Sequence, residues 1–201
     1  MDGNVHWFGV PGIVNGLAVL RDEESNSLWD HITGECFDGP HAGKRLPFWG
    51  IDMTTVEAEL ATHPDVILLK SPRIPFFKST MMNLAIGKEF INKEGTTLIP
   101  MFRRSMHSAI DDRLPEGENG LGVMTDDHQA KFYPMSAIPK GGQIEDEFLG
   151  RTLIIERGAI DGVPRAKWAD SDGPNGNGRP MQLLTRWYGF SFTYPGCDIY
   201  S

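Results

Sequence analysis

The sequence predicts an α+β fold, mainly antiparallel β with two or three short helices packed on it. Three observations predict it. Glycine and proline are both abundant, 23 and 14 among 201 residues, which favours short strands and many turns over long helices. Short extended-type runs recur between turn signals. Helix-period segments are too few for an alternating, parallel α/β fold.

The elements follow in order. Residues 5–10 and 16–21 read as strands, with Pro11-Gly12 and Asn15-Gly16 supplying turn chemistry around Ile13-Val14. Residues 22–26 form a polar turn. Ser27-Leu28-Trp29 then starts a third strand, in which Trp29 is expected to be buried. Residues 34–43 are loop-like, with Gly39-Pro40 as a breaker, and 46–51 resume extended structure. Thr54-Thr55-Val56-Glu57 fits a capping box, so 55–62 can be helical. His63-Pro64 ends that helix, because proline disfavours helix at the residue before it. Residues 66–69 read as a fully buried strand. Residues 83–91 suggest a short helix weakened by Gly87, and 97–102 look extended.

Residues 114–119 are loop, and 120–124 with 130–133 suggest a hairpin. Residues 134–138 make a turn of helix at most, and 143–147 and 151–156 are strands. Residues 170–180 are the most glycine-rich polar stretch and are expected to be an exposed, mobile loop. Residues 182–192, rich in aromatics, are the second helix candidate. A faint internal echo links Thr62-His63-Pro64 with Thr193-Tyr194-Pro195. In both, a proline stop leads from a helix into a short apolar strand, which duplication and coincidence both explain.

A chain of this length with 40% hydrophobic residues can bury a core without staples and is expected to form a single domain, 1–201. Its net charge of −8 repels nucleic acid and anionic membrane. Lys44-Arg45 and Arg103-Arg104 are too little for a phosphate-tracking stripe, so no nucleic-acid partner is expected. Apolar runs such as Val66-Ile67-Leu68-Leu69 are too short to span a bilayer. The N-terminus lacks a basic region, an apolar region and a cleavage site, so the chain is expected to be soluble. Cys36 and Cys197 do not define a disulfide framework and are expected to be free and buried.

Familiar signatures fail on inspection. Residues 39–44 resemble a phosphate loop, but Arg45 replaces the hydroxyl and Pro47 blocks a following helix. Residues 170–175 resemble the start of a calcium loop, but Met181 stands where the bidentate glutamate belongs. Two constellations remain. His107, Asp111, Asp112 and Arg113 fall within seven residues. A carboxylate can orient imidazole for acid/base or metal chemistry, and arginine can clamp a carboxylate ligand. The bland alternative is a structural turn capped by Asp111 with Arg113 pairing Asp112. His31, Cys36 and His41 share one loop region, and thiolate with imidazole suits a divalent transition metal such as zinc or copper.

The stretch from Phe8 to Leu46 carries Phe8-Gly9, Gly12, Asp22, Ser27-Leu28-Trp29, Thr33-Gly34, Gly39-Pro40, Gly43 and Leu46. It resembles a bacterial and archaeal family known as domain of unknown function 3179. The pattern continues through Thr54-Thr55, His63-Pro64-Asp65, Asp111-Asp112-Arg113-Leu114-Pro115, Gly122-Val123, residues 130–134, Asp146 and Gly150. Family members carry an upstream cysteine-pair segment before the equivalent of Val5. Cys36 and Tyr194 stand where the family has an apolar residue and a histidine. The resemblance names a fold family without an established activity, and it implies a cell-envelope location.

One function is therefore expected, with a second as its alternative. One is a binding or assembly module that presents loops to a small ligand, a metal or a partner protein. The other is a metal-assisted or acid/base enzyme around His107, Asp111, Asp112 and Arg113. Starting at an interior strand of the family domain, with aromatic Trp7 and Phe8 beside it, the chain is also expected to form a homo-oligomer or to meet a partner protein.

Overall fold

In a computed structural model, residues 3, 5–47, 51, 53–69, 103–170 and 178–201 are described. They form three sheets and two short α-helices. The first sheet has the order β1-β2-β3-β4: β1 (Phe8–Val14), β2 (Leu17–Asp22), β3 (Leu28–Asp30) and β4 (Cys36–Asp38). The second joins β10 (Met181–Arg186), β5 (Asn119–Met124), β6 (Ala130–Pro134) and β11 (Asp198–Ile199), in that order. The third runs β7 (Gln143–Phe148), β8 (Arg151–Arg157), β9 (Pro164–Trp168). The pairings between these strands are antiparallel except β11 on β6. The helices are α1 (Val56–Thr62) and α2 (Trp187–Thr193), so the predicted α+β class holds.

The second sheet is the centre of the packing. Alternate residues of β5 face opposite sides. Leu121 and Val123 meet Tyr133, Phe148, Leu153, Ile155 and Trp168, a core shared with the third sheet. On the other face, Phe132, Trp187, Phe190, Tyr194 and Cys197 form a second cluster under α2. Gly122 makes that contact possible, because a Cβ there would lie 2.0 Å from the Phe190 ring. The edges of β10 and β9 are joined by one side chain. Gln182 Oε1 accepts from the Ala166 amide at 2.7 Å, and its Nε2 donates to the Ala166 carbonyl at 2.9 Å.

Several expectations need correction. Pro11-Gly12 does not turn the chain. β1 runs through it with a register slip between Gly9 and Gly12, which an edge strand accommodates because proline there forfeits no ladder bond. The turn lies at Asn15 and Gly16, both at positive φ, the conformation a two-residue hairpin requires. The 34–43 loop contains β4. The cap of α1 is Thr55, which accepts from the Ala58 amide at 3.2 Å, and not Thr54. Moving the cap by one residue puts Ala58 where the box needs glutamate, and Thr54 donates instead to Asp161. Residues 66–69 are not a strand. Ile67 and Leu69 are 85% and 95% exposed, and no described strand pairs with them. The 182–192 helix is two elements, β10 then α2, because pairing with β5 holds Met181–Arg186 extended.

Other expectations hold. Trp29 is fully buried, both cysteines are free and buried, and the 120–133 hairpin and the β7–β8 hairpin form. Both proline stops end a helix, at His63 and Tyr194, but only the second leads into a strand, β11. Trp7 is 69% exposed, whereas Phe8 packs edge-on against Trp29. The expected elements at 83–91 and 97–102 and most of the 170–180 loop lie outside the described residues. No described helix is long and apolar enough to cross a membrane.

Candidate metal centre

Three segments of the first sheet converge on Asp22. This residue ends β2 and opens a tight turn, in which the Asp22 amide donates to Ser27 and the Asn26 amide donates back to Asp22. Asn26 takes a positive φ of 58°, which asparagine tolerates. The carboxylate is fully buried. Its Oδ1 accepts from the Glu24 amide at 3.1 Å, and its Oδ2 accepts from the Ser25 hydroxyl at 2.5 Å.

The segment before β1 lies across this turn. The Glu23 amide donates to the Trp7 carbonyl and the Trp7 amide to Glu24, while Phe8 pairs with Asp22. These bonds carry His6 over the carboxylate, with Nδ1 2.9 Å from Asp22 Oδ2. The loop after β4 closes from the opposite side. Gly39, at φ +92°, passes so close to Ser27 that a Cβ would lie 2.7 Å from its Cα. The His41 amide donates to the buried Ser27 hydroxyl. His41 Nε2 thereby lies 3.9 Å from Asp22 Oδ2.

One ligand atom from each of His6, Asp22 and His41 lies within 4.8 Å of the others. The imidazole side chains are 9% and 13% exposed, their rings are 5.9 Å apart, and Trp29 lies 6.2 Å from His41. Donors at about 2.0–2.1 Å from a tetrahedral zinc sit about 3.3 Å from one another, between the 2.9 and 3.9 Å observed to Asp22. Two imidazoles and one carboxylate suit zinc, iron, nickel or copper.

The electrostatics agree with that chemistry. Burial pushes the Asp22 carboxyl up, but the Ser25 hydroxyl, the His6 ring and the Glu24 backbone and side chain outweigh it. They hold Asp22 well below the ordinary carboxylate range. The group is an anion ready for a cation. His6 Nε2 is buried without a hydrogen-bond partner, as is Trp29 Nε1, among the described residues. Buried polar atoms seldom lack partners, and those that do call for a water, an ion or another group.

The predicted ligands divide. His41 belongs to the cluster, but His31 and Cys36 do not. His31 Nδ1 lies 2.7 Å from the Ala18 carbonyl, and the Cys36 thiol donates to the Asp38 carbonyl. Asp111 and Arg113 bind each other through two parallel contacts of 3.0 and 2.7 Å. The Arg113 guanidinium beside Asp111 holds its carboxyl below the usual range. Arg113 also donates to the Cys197 carbonyl and covers the Trp187 ring. Asp111, Asp112 and Arg113 line an open cavity of about 750 Å³, whose lining does not include His107. The His107 amide donates to Asn15.

His6 and Asp22 are the candidate ligands that sequence reasoning missed. His6 stands alone before β1, and no spacing ties it to His41. Asp22 carried one signal, since it is a recurring position in the pattern that the first block resembles. Residues 1–172 of the chain match a family described as Protein of unknown function (DUF3179), a span that includes all three residues of the cluster. No curated protein and no solved structure matches the chain.

Proposed function

We propose that this chain, which belongs to the DUF3179 family, is a β-rich metal-binding module that holds one divalent transition metal with His6, Asp22 and His41. The convergence of two imidazoles on one buried carboxylate, from three separate segments, carries the reading. His6 Nε2, buried without a partner among the described residues, is left for a water or another group to reach. Three protein ligands leave the fourth tetrahedral position to a water or a small ligand. That position supplies a Lewis acid when the metal is bound, so this centre also accommodates metal-assisted hydrolytic or acid/base chemistry.

Ligating histidine is neutral with its lone pair on the metal, so acid that protonates the ring competes with metal binding. Metal analysis of the purified protein, reconstituted with Zn²⁺ and dialysed, tests the reading. Wild type should retain about one equivalent per chain, as a mononuclear three-ligand site requires, and His41→Ala should retain almost none. His41 is the informative position, because Asp22 also organises the turn beneath it. A wild-type protein without bound metal, or His41→Ala with the same content, contradicts the reading.

A further inference from the structure

Another cavity lies where the three sheets meet. It is lined by the loop after β3, by β10 with the end of β5, and by the start of β9, and none of His6, Asp22 and His41 borders it. Its volume is about 420 Å³, within the range of small-molecule sites. The lining is mainly apolar, with Leu46, Leu121, Met124, Met181, Leu183 and Leu184 among its residues. Thioether side chains adapt to guests of differing shape.

The polar groups of the lining differ in what they can still bind. Gln182 spends both amide atoms on Ala166. Arg165 is locked, since Nη2 donates to Asp161 at 2.6 Å and to the Met53 carbonyl at 2.7 Å, and the Asp161 side chain is 5% exposed. Arg45 is held in two unequal ways. Its Nη2 donates at 2.6 Å to Glu35, a carboxylate that His128 also meets at 3.0 Å. Its Nη1 donates to Asp126, whose side chain is 79% exposed. A pair that open to water contributes little and is readily exchanged. The lining thus sets two guanidiniums against one carboxylate, Asp126, in a chain of net charge −8. That local balance suits a single negative charge, while the field of the whole chain opposes a polyanion. We propose that this cavity is a second binding site, for a small monocarboxylate with an apolar body. The body lies on the leucines and methionines. Its carboxylate replaces the Asp126 side chain on Arg45, because a guanidinium pairs strongly with carboxylates, and Glu35 keeps Arg45 in position.

Decanoate is the probe, and 1-decanol supplies the same body without the charge. In methyl proton–carbon correlation spectra of the full chain, decanoate should shift the signals of Met181, Leu183 and Leu184 saturably. Decanol should shift the same signals but bind at least about tenfold more weakly, as loss of a hydrogen bond between charged groups implies. Arg45→Gln should weaken decanoate by a similar factor and leave decanol unchanged, so the decanol titration shows that the variant keeps its cavity. Asp126→Asn, a change at an exposed side chain, should bind decanoate more tightly than wild type, because the ligand no longer displaces a carboxylate. Methyl signals that decanoate leaves unmoved overturn the site. Equal affinity of wild type for decanoate and decanol overturns the carboxylate class, as does an Asp126→Asn variant that binds decanoate no more tightly than wild type.

Discussion

Trp29 does two jobs with one ring. It is fully buried, meets Phe8 edge-on at 6.1 Å and lies 6.2 Å from His41, so the residue that fills the first sheet also walls the candidate metal centre. Trp29→Ala should cost about 3–5 kcal/mol, as large aromatic truncations do. A chemical denaturation midpoint close to wild type would contradict that. Asp161 offers a test in pH. The Arg165 guanidinium beside it, helped by the Val163 amide and the Thr54 hydroxyl, holds its carboxyl at about 2 against an ordinary 3.8. A carboxyl depressed in the folded state stabilises above its unfolded pKa and loses that contribution as pH falls through its folded one. Asp161 should therefore destabilise the fold between about pH 4 and about pH 2. Asp161→Asn should flatten the stability profile in that window, and an unchanged acid limb would refute the assignment. At this scale the sequence was partly legible. Trp29 could be placed in the core because it follows a polar turn into a strand. His41 could be named as a candidate ligand, but its partners could not, because β1–β2 pairing and the bonds of Trp7 to the turn after β2 bring His6 to Asp22.

Local signals located most elements and failed where tertiary pairing decided. The proline after His63 and the proline after Tyr194 each mark a helix end, since proline restricts the residue before it. The 182–192 segment misled because its aromatics suit a helix, whereas six residues of ladder with β5 hold its first part extended. Residues 66–69 misled in the opposite sense. An apolar run looks like a core strand, but burial depends on a partner that sequence does not specify. The junction of β9 and β10 rests on Gln182, whose amide copies a strand peptide. Gln182→Ala should leave the Ala166 amide and carbonyl without their partner, at about 1–3 kcal/mol for each group that water does not reach. Hydrogen exchange at the Ala166 amide should accelerate in that variant, and unchanged protection would argue that the bridge is dispensable.

Across the molecule, the larger cores lie with the second and third sheets, while the first sheet has fewer buried apolar residues, among them Val19, Trp29 and Cys36. A metal joining His6, Asp22 and His41 would cross-link three segments of that sheet. Binding to the folded state alone stabilises by about 2.7 kcal/mol at a hundred times Kd. For a chain of this length that corresponds to a rise in Tm of about 5–10 °C. Zinc should therefore raise the Tm of wild type and leave His41→Ala unmoved. The most direct test of the metal centre is the absorption spectrum of the Co²⁺-substituted protein, because it reads the ligands themselves. A centre built from His6, Asp22 and His41 should give visible d–d bands of nitrogen and oxygen ligation in wild type, lost in His6→Ala and His41→Ala and unchanged in Cys36→Ser. A thiolate-to-cobalt charge-transfer band that vanishes in Cys36→Ser would place the metal on His31, Cys36 and His41 instead, and a spectrum of free aqueous Co²⁺ would contradict any centre here.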